Sequence, residues 1–201
     1  IKADNFGGDD LQEAIDYAHE RNVKVYITLN TLIRDSELSR AFEYACRLYE
    51  MGADAVILQD MGLARLIHRY LPDFTMHLST QGTVYNVHAL ELVRQLGFRR
   101  IVPARELSLE EIRRMCEEAL EIEVFVHGAL CMCYSGQCQM SRLLGVKQGQ
   151  QENPRSGNRG LCAQPCRLPY TDDKGRTGYW LSPKDINTLD RLPALIEAAG
   201  D

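Results

Sequence analysis

Five short runs of β-branched and aliphatic residues recur along the first 128 positions: VKVYITLN (23–30), ADAVILQD (53–60), FTMHLST (74–80), FRRIVPAR (98–105) and EIEVFVHG (121–128). Runs of this length and composition read as strands, and each is separated from the next by a stretch long enough for a helix. Asp35 or Ser36 stands as a helix start before ELSRAFEYACRLYEMG, Ser108 and Glu111 form a capping box around LEEIRRMCEEA, and Gly52 and Gly97 stop two helices. Strands that alternate with helices run parallel, because each helix carries the chain back to the same edge. The pattern therefore predicts an α/β fold with a parallel sheet, either open and doubly wound or part of a TIM-barrel-like (β/α) barrel. A chain of 201 residues with 45% apolar content can bury one substantial core of this kind.

No GxGxxG or GxxxxGKS/T motif follows any strand, which removes the usual dinucleotide and P-loop readings. What the strands share is a polar C-terminal end: Asn30, Gln59 with Asp60, His77 with Ser79, Thr80 and Gln81, Arg105 with Glu106, and His127. In a barrel these ends meet at one mouth, where chemistry is carried out. Asp60, Gln81, Arg105 and His127 are thus candidate catalytic residues. Arg105 suits a carboxylate through its planar fork, and His127 suits proton transfer. The competing reading is that polar residues mark where strands reach the surface.

After Gly128 the repeat stops. Residues 129–180 hold five of the seven cysteines and seven of the fifteen glycines, so the chain divides into a βα-repeat part (1–128), a cysteine-rich inserted segment (129–180) and a return to the barrel (181–201). KQGQQENPRSGNRG (147–160) has the composition of a mobile loop. Cys131 and Cys138 are separated by six residues, Cys162 and Cys166 by three, with 23 residues between the pairs. A reduced α/β domain of this size does not need disulfide staples, so metal binding explains the density better. Zinc ribbons favour tight pairs with about two to four residues inside each, and the wider gap suits a cubane iron–sulfur cluster, which Gly128, Gly136 and Gly160 would let the backbone approach. Zinc remains an alternative. A Cys131 nucleophile activated by His127 is another, though it leaves four further cysteines unexplained. Cys46 and Cys116 lie on amphipathic helices and read as small core residues.

FVHGALCMCYSGQCQMSR, together with SGNRGLCAQPCRLPY, closely resembles the signature of the collagenase-like peptidase family U32, and YWLSPKDINTLDRLPALIEAAGD resembles the segment that follows it. The likeness also covers YEMGADAVILQD, HLSTQ and RRIVPARELSLEEI. It implies that the sequence, which starts at Ile1 and stops at AAGD, lacks an opening βα unit and a continuation that completes a barrel-like fold. It also implies an enzyme related to oxygen-independent hydroxylation proteins that modify a tRNA wobble uridine, a ribosomal RNA cytidine or the ubiquinone precursor ring. Such relatives carry a 4Fe-4S cluster and take the hydroxyl oxygen from prephenate. Carried over by position, the cluster ligands are Cys131, Cys138, Cys162 and Cys166, with Cys133 a spare; some relatives move one ligand elsewhere. Partners implied are tRNA or rRNA, or a small aromatic substrate, and a paralogous partner chain.

The net charge of -5 requires that any nucleic acid be held by a local patch. Between Ser141 and Arg176 seven basic residues (Arg142, Lys147, Arg155, Arg159, Arg167, Lys174, Arg176) face three acidic ones (Glu152, Asp172, Asp173), a local balance of +4. Tyr134, Tyr170, Tyr179 or Trp180 could stack a base. The alternative is a solvated loop. For the peptidase named in the family's title, neither HExxH nor GxSxG is present, so only Cys131 with His127 could serve. No apolar run approaches the roughly 20 residues of a membrane span and no signal peptide opens the sequence, so a cytoplasmic protein is expected.

Overall fold

Residues 6–118, 120–144 and 156–199 are described by a computed structural model of the chain. The elements of the repeat are α1 (Gly8–His19), β1 (Tyr26–Leu29), α2 (Asp35–Glu50), β2 (Ala55–Leu58), α3 (Met61–Tyr70), β3 (Met76–Leu78), α4 (His88–Gln95), β4 (Phe98–Ile101), α5 (Leu109–Cys116) and β5 (Glu121–Ile122). All five strands pair in parallel, in the sequential order β1-β2-β3-β4-β5. The protein is thus mixed α/β around one parallel sheet, as the alternation of runs predicts.

Side chains alternate across a strand, so each strand contributes one set to each face. Val56, Leu58, Met76, Leu78 and Ile101 belong to a continuous core with Leu48, Leu63, Ile67, Leu90, Val93 and Met115 from the helices. Complete burial of a side chain such as Leu58 or Leu78 contributes roughly 1.5–3 kcal/mol, which is why these alternate positions fix the register. The opposite row, set by the pairings Thr28↔Ile57, Ile57↔His77, His77↔Arg100 and Arg100↔Glu121, is polar except for Ile57. There Arg100 bonds Glu121 at 2.5 Å and Glu123 at 3.1 Å, and the ring of the buried His77 meets Tyr26 edge-on at 4.8 Å.

Helix ends follow the sequence with one shift. Ser108 and Glu111 form the expected capping box, and Gly52 and Gly97 lie at positive φ just past α2 and α4. The N-cap of α2, however, is Arg34 rather than Asp35 or Ser36. The Glu37 carboxylate reaches back to accept from the Arg34 N–H at 2.9 Å, so the carboxylate three residues on, not a capping hydroxyl, satisfies that end.

The run 121–128 is not one strand. The Glu123 N–H makes the last bond to β4, at Ile101 O (2.9 Å), and the chain then leaves the sheet. His127–Gly128 forms β6, paired antiparallel with a strand from much later in the sequence (Ile186–Asn187). Beyond β6 lie α6 (Met140–Leu144), a hairpin of β7 (Tyr170–Thr171) and β8 (Thr177–Gly178), β9 (Ile186–Asn187) and α7 (Leu192–Ala199), which packs on α5. Most of the stretch expected to be mobile, 147–155, lies outside the described residues, and 157–159 forms a 3₁₀ turn. Among the described residues no helix is long and apolar enough to cross a membrane.

Candidate functional site

The loops that leave the C-terminal ends of β3 and β4 hold the first cysteine loop. Ser135 is fully buried between them: its N–H donates to Glu106 Oε1 at 3.0 Å, its Oγ accepts from the Arg105 N–H at 3.3 Å, and its carbonyl accepts from Thr83 Oγ1 at 2.7 Å. Gln137 Nε2 adds a bond to Thr83 Oγ1 at 3.1 Å. Gly136 lies at φ 76°, and a Cβ there would stand 2.1 Å from the Gln81 carbonyl oxygen, so only glycine lets the cysteine loop approach that backbone. The Gln81 carbonyl is itself held by Gln59 Nε2 at 3.2 Å.

The second cysteine loop is fastened separately. Arg159 donates to both oxygens of Glu37, at 2.8 and 2.6 Å, and also to the Leu32 carbonyl. The Leu32 N–H returns a bond to Asn158 O at 3.0 Å. The Arg159 hydrogen bonds, ahead of that from the Arg34 N–H, pull the Glu37 carboxyl from its usual 4.5 down to about 2. Buried Ser141 accepts from the Ala163 N–H at 2.7 Å, and Arg167 bonds the Leu130 carbonyl, Ser182, the Pro183 carbonyl and Asp185 at 2.9–3.2 Å.

Between the two loops lies a cavity of about 170 Å³ whose lining includes all five cysteines of the segment, Cys131, Cys133, Cys138, Cys162 and Cys166, with Gln81, Tyr134, Arg105 and Arg167. Among the described residues no carboxylate or imidazole lines it. Such a sulfur-only donor set is soft, and the two guanidiniums suit a group that is anionic once its thiols have ionised. Burial pushes the Cys133 and Cys166 thiols up; the hydrogen-bonded neighbour Cys138 raises Cys133 further, and Arg167 works against the rise at Cys166. No disulfide is formed among the described cysteines. Among the described residues no three of His, Cys, Asp and Glu converge closely enough to hold a single metal ion.

The residues expected at the mouth do different work. Asp60 is the N-cap of α3, accepting from Leu63 N at 2.9 Å and from Ile33 N at 3.0 Å. Gln81 lines the thiol cavity. Arg105 does so too, and its Nη2 donates to Cys131 Sγ at 3.2 Å. His127 is exposed on β6 and lines no cavity with these residues; among the described residues no hydrogen bond joins it to Cys131. Cys133, expected to be a spare, stands inside the cluster of thiols. Ser135, Thr83 and Ser141 have no chemical motif, and the one local signal for the first is its place before Gly136.

Three of the seven basic residues of the patch are paired with carboxylates. Arg159 pairs with Glu37, Arg167 with Asp185 and Arg176 with Asp172, while Lys147 and Arg155 lie outside the described residues. Of the aromatic candidates, Tyr170 donates to Pro165 O and Trp180 to Tyr170 O, whereas exposed Tyr134 meets Tyr85 edge-on at 6.0 Å at the rim of the thiol cavity.

Comparison with known proteins adds five findings. A family model described as Peptidase family U32 matches residues 1–201. The chain is 41% identical over 196 residues to a 23S rRNA 5-hydroxycytidine synthase of Escherichia coli, covering 94% of the chain and 28% of that protein. It is 35% identical to tRNA hydroxylation protein P of the same organism (88% and 38% covered) and 30% identical to a collagenase of Porphyromonas gingivalis (98% and 50%). It thus spans half or less of the length of these relatives. The solved structure of the U32 peptidase Mk0906 shares the fold at a TM-score of 0.54 and 15% identity, over 64% of this chain and 56% of that one.

Proposed function

Because the chain belongs to Peptidase family U32, we propose that it is the cluster-holding part of an enzyme that hydroxylates a base of tRNA or rRNA without oxygen. The observation that carries this reading is one cavity walled by five thiols and two guanidiniums, with no carboxylate or imidazole among the described lining residues. Cys131, Cys138, Cys162 and Cys166 would hold a 4Fe-4S cluster. Zinc is the weaker alternative, because structural zinc favours two tight pairs, whereas six residues separate Cys131 from Cys138. When bound, the cluster supplies one-electron redox chemistry or a Lewis-acidic iron.

The chain's own residues then have definable tasks. Arg105 and Arg167 offset the charge of four ionised sulfurs. A neighbouring cavity of about 250 Å³, walled by Phe125, Leu107, Ile112 and Leu195 and carrying Arg105 and Arg191, suits a small anion with an apolar body; prephenate, as oxygen donor, fits that description. Tyr134 offers an exposed face on which an unstacked base can rest beside the thiols. Peptide hydrolysis through Cys131 has less support, since the sulfur meets Arg105 rather than an imidazole.

The strand order, sequential with no reversal, supports an arc of a TIM-type barrel whose other strands belong to a longer protein. Residues 1–128 form the βα part of that barrel, 129–180 its cysteine-rich insertion and 181–201 the return. A cytoplasmic location and a paralogous partner chain belong to the same reading.

Full-length protein prepared without air is expected to be brown, with iron and sulfide near stoichiometric for one cluster, and Cys138→Ser is expected to bleach it. Nucleosides from cells lacking the protein are expected to lose one hydroxylated base. Full-length protein that holds neither iron nor sulfide overturns the proposal.

A further inference from the structure

We propose that Arg105 positions Cys131 and sets the reduction potential of the cluster that the thiol cavity holds, an inference that rests on the cluster reading above. Several half-buried arginines are answered by carboxylates, among them Arg100 by Glu121 and Glu123, Arg159 by Glu37 and Arg167 by Asp185. Arg105 is not. Among the described residues its side chain has one hydrogen-bond acceptor, the Cys131 sulfur, 3.2 Å from Nη2. Its guanidinium stands over the Phe125 ring at 5.6 Å, and its Nε is buried without a partner. Arg105 is half-buried with its Nε dry and no carboxylate beside it, so negative charge facing the guanidinium is stabilising. Among the described residues the group placed to provide that charge is the Cys131 sulfur when it ligates an anionic cluster.

The arrangement is also fixed in place. The Arg105 N–H bonds Ser135 Oγ, and Ser135 is clamped by Glu106 and Thr83, so the backbone that carries the arginine and the loop that carries Cys131 are tied to one another. Reduction adds one electron, drawn from an external one-electron donor, to an already anionic site. A fixed cation on one ligand sulfur stabilises the reduced form more than the oxidised form, and so raises the potential.

The test compares full-length wild type with Arg105→Gln and Arg105→Lys, each reconstituted with iron and sulfide without air and titrated with a chemical reductant while the cluster is followed by electron paramagnetic resonance. Arg105→Gln is expected to hold iron and sulfide as wild type does but to shift the reduction equilibrium about tenfold toward the oxidised form, 59 mV for one electron. Arg105→Lys, which keeps the charge but loses the planar fork, is expected to fall between the two. Equal potentials in all three overturn the inference. So does loss of iron from both variants, which makes the residue a structural anchor only. Wild type that takes up no cluster overturns the functional reading itself and is told apart by that control alone.

Discussion

Replacing Gly136 with alanine tests how the cysteine loop is held. The built Cβ stands 2.1 Å from the Gln81 carbonyl oxygen and 2.8 Å from Thr83 Oγ1, at φ 76°. The left-handed conformation alone costs about 1–2 kcal/mol for a residue with a Cβ. The overlap cannot be relieved by turning a side chain, because the nearest atom is backbone and is itself bonded to Gln59; displacing it is an overpacking cost of about 1–3 kcal/mol. Together these predict a loss of about 2–5 kcal/mol, concentrated in the loop rather than in the sheet. Gly175→Ala is the control: its φ is 77°, but a Cβ there meets nothing within 4 Å, so only the first cost applies. Hydrogen exchange reads both. The Ser135 amide, bonded to Glu106, should lose protection by at least about 30-fold in Gly136→Ala, since about 1.4 kcal/mol is tenfold. The Asp172 amide, bonded across its hairpin to Arg176 O, should lose less in Gly175→Ala, and the Val56 amide in the sheet should not change in either. Equal losses at Ser135 and Asp172 would refute the argument that close approach, and not backbone conformation, makes Gly136 necessary.

Two further outcomes follow from named contacts. The folded-state pKa of Glu37 is depressed, chiefly by Arg159, so its docking of the second cysteine loop is fully present above pH 4.5 and is lost as pH falls through about 2. Limited proteolysis with an acid-active protease should open residues 156–160 across that window in wild type, whereas Arg159→Gln should be open already at neutral pH; identical digestion of the two would remove Arg159 as the fastener. Asp60→Ala, which deprives Leu63 N and Ile33 N of their acceptor, should lower stability in urea by roughly 1–3 kcal/mol, with Asp60→Asn retaining most of it. An unchanged urea midpoint would show that these two bonds do not hold the start of α3.

What could be read from the sequence was what short-range physics determines. Apolar runs gave β1 to β4 and Ser108–Glu111 gave the cap of α5, because each depends on residues within one turn or one strand. The split of EIEVFVHG could not be read, since the partner of β6 is a strand 58 or more positions on. The same limit explains the charge count. A balance of +4 counts neighbours in sequence, but Arg159 meets a carboxylate 122 positions away and Arg167 one 18 away. Polar residues at strand ends were visible as a set, yet whether Asp60 meets a substrate or the N-terminus of α3 depends on hydrogen-bond geometry that composition does not encode. The cysteines were legible because their number and spacing exceed anything a reduced core needs.

The two parts of the molecule are held by different forces, and this bears on what the cavity is for. Every fully buried apolar side chain of the core that is described lies at or before Met115, apart from Ala198. Between 129 and 180 the buried described residues are Ser135, Ser141, Asn158 and Pro165, a mostly polar set. Hydrogen bonds of net worth about 1 kcal/mol each can orient such loops, but they offset little of the roughly 1–2 kcal/mol per residue that ordering the backbone costs. A segment so poor in apolar burial needs another source of stabilisation, as small metal-held domains do, where ligand binding and folding free energy are the same quantity. Five sulfurs around one cavity provide the means. The polar ends of β3 and β4 accordingly serve first to hold the first cysteine loop, through Thr83, Arg105 and Glu106.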